Sequence, residues 1–582
     1  MAQSTSSCCQ GKRKGGKKPS TVGTGVLCQC GEGSPCICGP KCTCADCPCK
    51  PERVLTLMLR SCSAPAALHE LLRKHWHRLN AIHVVTALQG QAKLGVSSDD
   101  WLEAHDTSIS SKDWLERTPD VPDDLQHLLH RLRDEVAEGS MDARAVSLAM
   151  WSLAKMRLVS PGDPLLIEIE QCSLVAMDKF GHQDLSHTLW GFATLGHTPS
   201  ATWLRAMNTR ALCTLKSHSF SPQSLGNFLW AGAKLRIQPS PALWAAIASE
   251  LQTQASRIEA QHLANALWAL AVHERRDCLD TLVILSDRAR DLAPSLKPQD
   301  VANIVWAFAT LEFDPGEHVI AELHHRAMHQ ICIFSVQELA NLLWATASLG
   351  HALPGSHCIE YLHAIESRIQ ECNGQVVLNV LWAFAIMDPL VLQSAAHLWD
   401  SCVSLLESFT PEGLVQLTQA SAVCTYMGES CSEDRQLDMY IPESIRADAW
   451  ACVRAKKRNV SAMQKSVFSA IEDLGVSCTC EHPVLWGLLH ADIVTEWSGK
   501  WVVVEVDGPS HYAWNSGRPL GATLLRNWLL TASGWTLATL PYWDWDGLGE
   551  EYPFDSDELR EAQRTYVWAM LQHATGHELI LQ

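Results

Sequence analysis

The sequence contains no uninterrupted run of about 18 apolar residues, which is the length that a membrane-spanning helix needs. No apolar segment follows Met1, so the start of the chain does not resemble a secretory signal. The 23 cysteines do not form the framework of a small disulfide-linked domain, because ten of them lie before residue 50 and the others are scattered through helical sequence. These absences predict a chain that works in a reducing compartment and does not insert into a membrane.

The chain also lacks the basic excess that is typical of nucleic-acid-binding proteins. It has 46 Lys and Arg residues against 64 Asp and Glu residues, a formal net charge of −18 at pH 7. Positive charge is concentrated locally, in residues 1–50 and in a cluster at Arg454, Lys456, Lys457 and Arg458. Because an acidic protein can still line one surface with positive charge, composition counts against a nucleic-acid partner without excluding one.

Histidine is absent from a cysteine-rich segment near the start of the chain, where four Cys-x-Cys pairs fall within 22 residues. The pairs are Cys28 and Cys30, Cys36 and Cys38, Cys42 and Cys44, and Cys47 and Cys49. Dense thiolates without histidine suit a soft ion, so we expect these residues to bind Zn²⁺ or Cu(I). The segment resembles metallothionein, and residues 1–50 are expected to form a disordered head. The alternative is a disordered tail that binds no metal.

No acidic residue precedes Glu32, while Ser, Thr, Lys and Arg are common there. This composition is typical of an organellar transit peptide, so a mitochondrial or chloroplast location is expected. The lysine-rich stretch at 12–18 is the competing signal, typical of nuclear import, so the alternative location is the nucleus or the cytoplasm.

Against these absences stands a regular repeat of tryptophan. The repeated residues are Trp151, Trp190, Trp230, Trp268, Trp306, Trp344 and Trp382, with gaps of 39, 40, 38, 38, 38 and 38 residues. A fixed period in this range indicates one structural unit copied and stacked. Residues 239–274 show the unit as a helical hairpin: Ser240 and Pro241 suit the start of one helix, and 260–273 has the apolar spacing of a second. Glycine at Leu195–Gly196 and Leu349–Gly350 predicts left-handed caps.

Asparagine stands three residues before the tryptophan in five units. The residues are Asn227, Asn265, Asn303, Asn341 and Asn379. The structural interpretation is a ladder of amides that satisfies backbone groups in the adjacent turn. The functional interpretation is a row of amides facing unstacked bases. The tryptophans allow the same two interpretations, as core residues or as stacking platforms, and a large apolar residue at fixed phase favours the core.

The segment Leu-Ala-Asn-x-Leu-Trp-Ala-x-Ala, at 263–271 and 339–347, resembles the octotricopeptide repeat of algal organelle proteins. The related FAST kinase domain family shares this layout. The resemblance implies an α-solenoid at 55–425, built from hairpin repeats with a period of about 38 residues, that binds organellar single-stranded RNA at about one base per repeat.

Beyond a connector at 426–483 the period stops and strand patterns begin. The segment 501–507 is rich in β-branched residues and places Glu505 and Asp507 on one face of a strand. Asp492 on the preceding strand and His511 after the turn could complete a set that holds Mg²⁺ and activates water. The alternative is a solvent-facing polar surface, or pairing of the acids with Arg518 and Arg526.

The segments at 503–511, 518–523 and 534–535, together with Pro-Tyr-Trp-Asp-Trp at 541–545, resemble the RAP domain. The resemblance implies an RNA-binding domain at 484–582, similar to the restriction-endonuclease-like fold, in which Asp492 and Glu505 would be the nuclease acids. The lysine expected two residues after the second acid is replaced by Asp507, which weakens the case for cleavage. RNA contacts are expected at Arg518, Arg526 and Trp543.

Together these patterns predict an organellar RNA-binding protein that acts in the processing of messenger or ribosomal RNA, in transcript stability or in translation, within a ribonucleoprotein assembly. Two alternatives stay open from the sequence: an RNA endonuclease that uses the C-terminal carboxylates, and a protein-binding scaffold, which the acidic composition favours.

Overall fold

The structure, a computed structural model, describes residues 51–94, 123–405, 408–427, 443–455, 460–554 and 556–576. The eight cysteines expected to bind metal, at 28–49, lie outside the described residues. None of the helices in the described ranges combines the length and the apolar composition that crossing a bilayer requires.

Up to residue 472 the described part of the chain is helical, and most of its helices follow one another as hairpin pairs. In chain order they are α1 (Pro51–Ser61), α2 (Pro65–His75), α3 (Ala81–Lys93), α4 (Asp123–Ala137), α5 (Ala143–Met156), α6 (Pro164–Ala176), α7 (His182–Leu195), α8 (Ala201–Lys216), α9 (Pro222–Lys234), α10 (Pro241–Gln254), α11 (Ala260–Val272), α12 (Leu279–Leu292), α13 (Pro298–Thr310), α14 (Glu317–His329), α15 (Val336–Ser348), α16 (Gly355–Glu366), α17 (Gly374–Met387), α18 (Pro389–Ser394), α19 (Ala396–Leu405), α20 (Pro411–Met427), α21 (Glu443–Ala455) and α22 (Ala462–Glu472).

The odd-numbered helices from α3 to α17 are the second helices of the hairpins, and each packs against the second helix of the next unit. The even-numbered first helices from α4 to α14 form the other layer and touch one another less closely. A two-layered array curves toward its more tightly packed layer, so the second helices line the inner side of the curve. The predicted array of helical hairpins is therefore present, and its fixed-phase tryptophans all lie on second helices.

A repeated polar contact ties each unit to the next. Near the end of a first helix, a side chain donates to the backbone carbonyl that precedes the second helix of the previous unit. The contacts are Arg210 Nε to Phe180 O at 2.7 Å, Gln254 Nε2 to Phe220 O at 2.7 Å, Arg288 Nη2 to Ile258 O at 2.9 Å, Arg326 Nε to Leu296 O at 2.9 Å and Arg368 Nη1 to Phe334 O at 2.5 Å. Because each carbonyl lies just outside a helix, the contact satisfies an acceptor that the helix leaves open.

The second helices end in a left-handed residue six positions after the tryptophan. These residues are Arg157, Gly196, Arg236, Glu274, Glu312 and Gly350, with φ between 50° and 71°. Gly196 and Gly350 confirm the caps predicted from the sequence. The other units hold the same conformation with a side chain, so glycine is not required by the helix end itself.

Beyond α22 the chain folds into a small α/β unit. Its elements are β1 (Cys478–Val484), β2 (Leu489–Trp497), β3 (Lys500–Asp507), α23 (Gly521–Ala532), β4 (Thr536–Pro541), α24 (Tyr542–Glu551) and α25 (Asp557–Ala574). The strand order is β1-β2-β3-β4, in which β1 to β3 are antiparallel neighbours and β4 runs parallel to β3. The helix α23 supplies the crossover that a parallel pair requires.

The alternation along β3 gives the sheet two different faces. Val502, Val504 and Val506 belong to a core with residues of α22 and α25. Val503 belongs to the core that continues from α23 into the helical array. Glu505 and Asp507 share the face of Val503, so the fold buries two carboxylates between the sheet and α23.

The strands expected near 484–495, 501–507 and 535–540 are present, as are the helices expected near 523–532 and 557–572. The sequence reading had not predicted β1 or α24. Because β1 pairs with β2, and α22 contacts the sheet, the α/β unit begins before the expected boundary at residue 484.

Candidate nucleic-acid interface

A continuous row of half-exposed side chains runs along the second helices on the inner side of the array. Each helix contributes the tryptophan and the residues seven and three positions before it and four positions after it, which share one helical face. We call this surface the inner stripe; its members are Arg144, Trp151 and Lys155; Gln183, His187, Trp190 and Thr194; Gln223, Asn227, Trp230 and Lys234; Gln261, Asn265, Trp268 and Val272; Gln299, Asn303, Trp306 and Thr310; and Gln337, Asn341, Trp344 and Ser348.

The tryptophans of the inner stripe are neither fully buried nor free. From Trp151 to Trp344 each packs on the apolar core and keeps part of its ring accessible. These residues therefore pack on the core, as the core interpretation expected, and are also partly exposed. An indole that is partly exposed in each of these units gives a surface on which an unstacked base can lie.

From Trp230 onward, Gln and Asn occupy the positions seven and three residues before each tryptophan. Gln337 Nε2 donates to Asn341 Oδ1 at 2.9 Å, and Gln375 Nε2 donates to Asn379 Oδ1 at 2.7 Å. These contacts join neighbouring side chains along the helix rather than the backbone groups that the ladder interpretation expected. The glutamine column was not singled out from the sequence, although its seven-residue spacing from the tryptophan is visible there.

The inner stripe is positive although the chain is strongly acidic. Its charged members are Arg144, Lys155 and Lys234, all exposed, and it contains no carboxylate. Lys234 Nζ lies 4.9 Å from the centroid of the Trp230 ring. Burial lowers the pKa of His187 to about 4, so this imidazole is neutral at pH 7. The stripe therefore offers cations, amide groups and aromatic surface.

The C-terminal unit closes one end of the inner stripe. Asn379 and Trp382 on α17 are each only 6% exposed, unlike their counterparts in earlier units. The helix α23 packs on α15, α17 and α20 at this point. The Tyr426 ring at the end of α20 stacks on Trp486, with centroids 6.2 Å apart. Asn379, one of the predicted RNA contacts, is consequently much less accessible than Asn227, Asn265, Asn303 and Asn341.

Residues 512–520, which we call the docking loop, attach the C-terminal unit to the array. Trp514 Nε1 donates to Leu311 O at 2.9 Å, and the backbone N–H of Trp514 donates to Glu312 O at 3.2 Å. Asn515 makes a two-way contact with the backbone of Asp314, at 2.8 Å in each direction. The loop thereby pairs with carbonyl and N–H groups left open at the end of α13.

Asp314 is the centre of this contact. Its carboxylate accepts from Ser516 Oγ at 3.0 Å and pairs with Arg518 Nε at 3.1 Å and His351 Nε2 at 2.8 Å. Burial alone would raise the pKa of Asp314, but the bonds from His351, the Gly316 N–H and Ser516 hold it well below the usual range. Arg518 also pairs with Glu317 at 2.9 Å. The structure thus places Arg518, a predicted RNA contact, in contacts within the chain.

The predicted carboxylates meet as the strand pattern suggested. The backbone N–H of Asp492 donates to Glu505 Oε1 at 3.3 Å, across adjacent strands. Arg526 reaches down from α23, contacts Glu505 Oε2 and donates from Nη2 to His490 O at 2.6 Å. Burial raises the pKa of Asp492 and of Glu505, and the Arg526 guanidinium opposes this rise.

Asp507 holds the side chains that follow β3. Its two oxygens lie 2.9 Å from His511 Nδ1 and 3.2 Å from the Tyr512 hydroxyl. The bond to Asp507 raises the pKa of His511. Asp507 is 1% exposed, so its carboxylate orients His511 and Tyr512 from within the protein and does not face solvent.

These carboxylates do not fit a Mg²⁺ ion in this arrangement. Asp492 accepts from Gln464 Nε2 at 2.7 Å and from the Val506 N–H at 2.8 Å, and both Glu505 oxygens also face protein donors. Glu505 Oε2 lies against the Arg526 guanidinium and Asp507 Oδ1 lies beside His511, although neither oxygen accepts an aligned hydrogen bond. A guanidinium at Glu505 would repel a divalent cation, and Mg²⁺ requires oxygens free to approach to about 2.1 Å. Across the described ranges no group of three or more His, Cys, Asp or Glu side chains has a metal-binding arrangement.

A cleft of about 1200 Å³ opens above this cluster, between the C-terminal unit and α20. Its lining includes Glu412, Gln464, His490, Asp492, His511 and Arg526. Tyr542 lies at its edge beside Trp543, which is 41% exposed and 4.5 Å from the Tyr512 ring centroid. The cleft and the aromatic cluster lie next to the closed end of the inner stripe.

Comparison with known proteins relates this unit to one family. Residues 504–552 match the RAP domain family. The chain is also similar to a protein of Oryza sativa subsp. japonica named "RAP domain-containing protein, chloroplastic", with 29% identity over 119 residues. The aligned part is 20% of this chain and 18% of the rice protein, so the chain spans less than a fifth of that relative's length. The segment that carries Glu505, Asp507, the docking loop and Arg526 is a RAP domain.

Proposed function

We propose that this protein binds single-stranded RNA along the inner stripe and acts in an organelle, in RNA processing, transcript stability or translation. The RAP domain at the closed end would contact the same strand through its cleft and through Trp543. The resemblance of the array to octotricopeptide repeats and the chloroplast relative support this assignment.

The chemistry of the inner stripe carries the proposal. Single-stranded RNA presents base faces, base edges and phosphates, which are bound by aromatic rings, by amides and by cations respectively. The inner stripe repeats the first two groups in unit after unit and adds Arg144, Lys155 and Lys234.

The proposal is tested by fluorescence anisotropy with labelled single-stranded RNA, duplex RNA, single-stranded DNA and heparin. We expect salt-sensitive binding that prefers single-stranded RNA, with a slope of about −0.7 in log affinity against log salt for each phosphate contacted. Binding to RNA that is no tighter than binding to heparin would reject it.

Charge reversal locates the binding surface. Replacing Arg144, Lys155 and Lys234 by Glu should lower RNA affinity at least tenfold, because each change removes a cation and adds a negative charge beside the bound strand. The matched control is Arg205→Glu, Lys216→Glu and Arg257→Glu, three exposed cations on or beside the first helices. Equal losses in the two triple variants would mean that the inner stripe is not the binding surface.

The proposal does not include metal-dependent cleavage, because the Arg526 guanidinium lies against Glu505 and no group of three or more His, Cys, Asp or Glu in the described part of the chain is arranged to hold a metal ion. A protein-binding scaffold is the alternative that the acidic composition favours. It predicts that the stripe triple variant keeps its full affinity for RNA, so the same experiment separates the two.

A further inference from the structure

We infer that the residue four positions after each tryptophan selects the base that its unit binds. This inference rests on the proposed function. The residues concerned are Lys155, Thr194, Lys234, Val272, Thr310 and Ser348. They are the selector column of the inner stripe.

The other columns cannot discriminate between bases because they hardly vary. The position seven before tryptophan is Gln in five of the six units of the inner stripe, and the position three before it is Asn in four of them. Side chains that are the same in every unit offer every base the same partners. Among the accessible stripe positions, the selector column is the one that changes in chemistry from cation to hydroxyl to aliphatic group.

The selector column lies where a stacked base would present its edge. Residues four apart on a helix are direct neighbours on its surface, so each selector side chain stands beside the indole of its own unit. Lys234 shows the reach directly, with its Nζ 4.9 Å from the Trp230 centroid. The ammonium lies over the face of the ring, so a base that stacks on this indole has to displace it, and the flexible lysine side chain can then meet the edge of that base.

Other variable positions on the second helices have structural roles. Six residues before the tryptophan, Asp184, Asp300 and Glu338 accept from backbone N–H groups at the start of their helices. Six residues after it, Glu312 and Gly350 lie where the RAP domain packs. These positions vary because their local packing differs, whereas the selector residues, apart from the buried Thr194 hydroxyl, are accessible on the stripe itself.

The side chains predict a pattern of bases. Lysine donates only, so Lys155 and Lys234 favour the paired acceptors O6 and N7 of guanine. Thr310 and Ser348 donate and accept, and therefore tolerate more than one base, whereas the Thr194 hydroxyl is buried and should read no base. Val272 offers no hydrogen bond and should be the most permissive. At one base per unit, the bound RNA should carry guanine at two positions separated by one other base.

Selection from a random RNA pool, followed by sequencing, tests this with the full chain. We expect the spaced guanines in the sequences bound by the unmodified protein. Thr310→Lys should add a guanine preference of about tenfold at one further position, two places from the position read by Lys234, and leave the others unchanged. The control is Thr253→Lys, an exposed threonine on the first helix α10, which should leave every position unchanged.

The inference is overturned if Thr310→Lys binds RNA with unchanged affinity and selects the same sequences as the unmodified protein. A change of preference spread over many positions, or an equal change with Thr253→Lys, also overturns it. Failure of the unmodified protein to bind single-stranded RNA at all is a different result, because it rejects the proposed function itself and the selector column with it.

Discussion

Replacing Gly350 by Ala should loosen the RAP domain from the array while leaving the helical repeat intact. Gly350 ends α15 with φ of +71°, and a Cβ built there would overlap the Pro519 carbonyl oxygen and lie 3.1 Å from Leu524 Cδ1. Gly196 is the matched control: its φ is also +71°, and the nearest atom to its Cβ is Pro161 Cγ, at an ordinary 3.6 Å. Both substitutions cost about 1 kcal/mol for the left-handed backbone. The difference between them therefore isolates the contact with the docking loop.

The size of that difference follows from the hydrogen bonds that the docking loop loses. To clear a Cβ at Gly350 the backbone at Pro519 has to move. This strains the bonds of Trp514 to Leu311 and of Arg518 to Asp314, at 2.9 and 3.1 Å. A neutral hydrogen bond contributes about 1 kcal/mol and one to a charged group about 1.5–3 kcal/mol. Gly350→Ala should therefore cost at least about 2 kcal/mol more in docking than Gly196→Ala.

Hydrogen exchange measures this locally. The Trp514 N–H is bonded to Glu312 O at 3.2 Å in the docked state, and the Leu520 N–H is bonded to His511 O at 2.9 Å within the C-terminal unit. A loss of about 2 kcal/mol should speed exchange of the Trp514 amide roughly 30-fold, with much less change at helices α7 to α11. Gly521→Ala, whose Cβ would overlap the Ala347 carbonyl oxygen, should have the same effect. Equal exchange of the loop in Gly350→Ala and Gly196→Ala would refute the reasoning.

Three further predictions concern stability. Arg288→Met removes two guanidinium bonds, at 3.1 and 2.9 Å, to a carbonyl of the preceding unit, and should lower the free energy of unfolding in urea by about 2 kcal/mol. Arg290→Met on the same helix loses surface ion pairs only and should change this free energy by less than about 0.5 kcal/mol. The pKa of His187 is lowered to about 4 in the folded protein, so its neutral imidazole contributes fully to stability above pH 6.5, and this contribution is lost as the pH falls toward 4. His187→Asn should remove about 3 kcal/mol of this pH dependence from the free energy of unfolding. The measurement is the melting temperature as a function of pH, which should become flatter. Arg526→Met removes the guanidinium that opposes the burial of Asp492 and Glu505 and should destabilise the RAP domain by about 3 kcal/mol in thermal melts, while Arg564→Met, which loses only a surface ion pair with Glu561, should not.

The recurring tryptophan made the helical array predictable, because one period with one apolar pattern leaves few other ways to bury the faces of the hairpins. The alternation in the segment 501–507 likewise predicted a strand with two carboxylates on one face. The strand β1 was missed because its sequence, Cys-Thr-Cys-Glu-His-Pro-Val, has neither a continuous apolar run nor a clear alternation. The helix α24 was missed because Tyr-Trp-Asp-Trp gives no helical apolar spacing at its start.

The candidate site shows the same division more sharply. Asp492, Glu505, Asp507 and His511 were predicted to come together, and they do. The sequence left open whether they would face solvent, a metal ion or a cation, and Arg526 decides this by reaching in from a helix that follows later in the chain. Arg518 gave no sign that its partners would be Asp314 and Glu317, about 200 residues away.

The sequence by itself determined the repeated unit, the amide and indole columns and the β-strand that carries the acids, because these depend on local spacing along the chain. Only the tertiary structure decided which columns stay accessible, that the RAP domain covers the end of the inner stripe, and which charges neutralise one another. Accessibility and ion pairing depend on distances between elements far apart in sequence, and the periodicity of any one element carries no information about those distances.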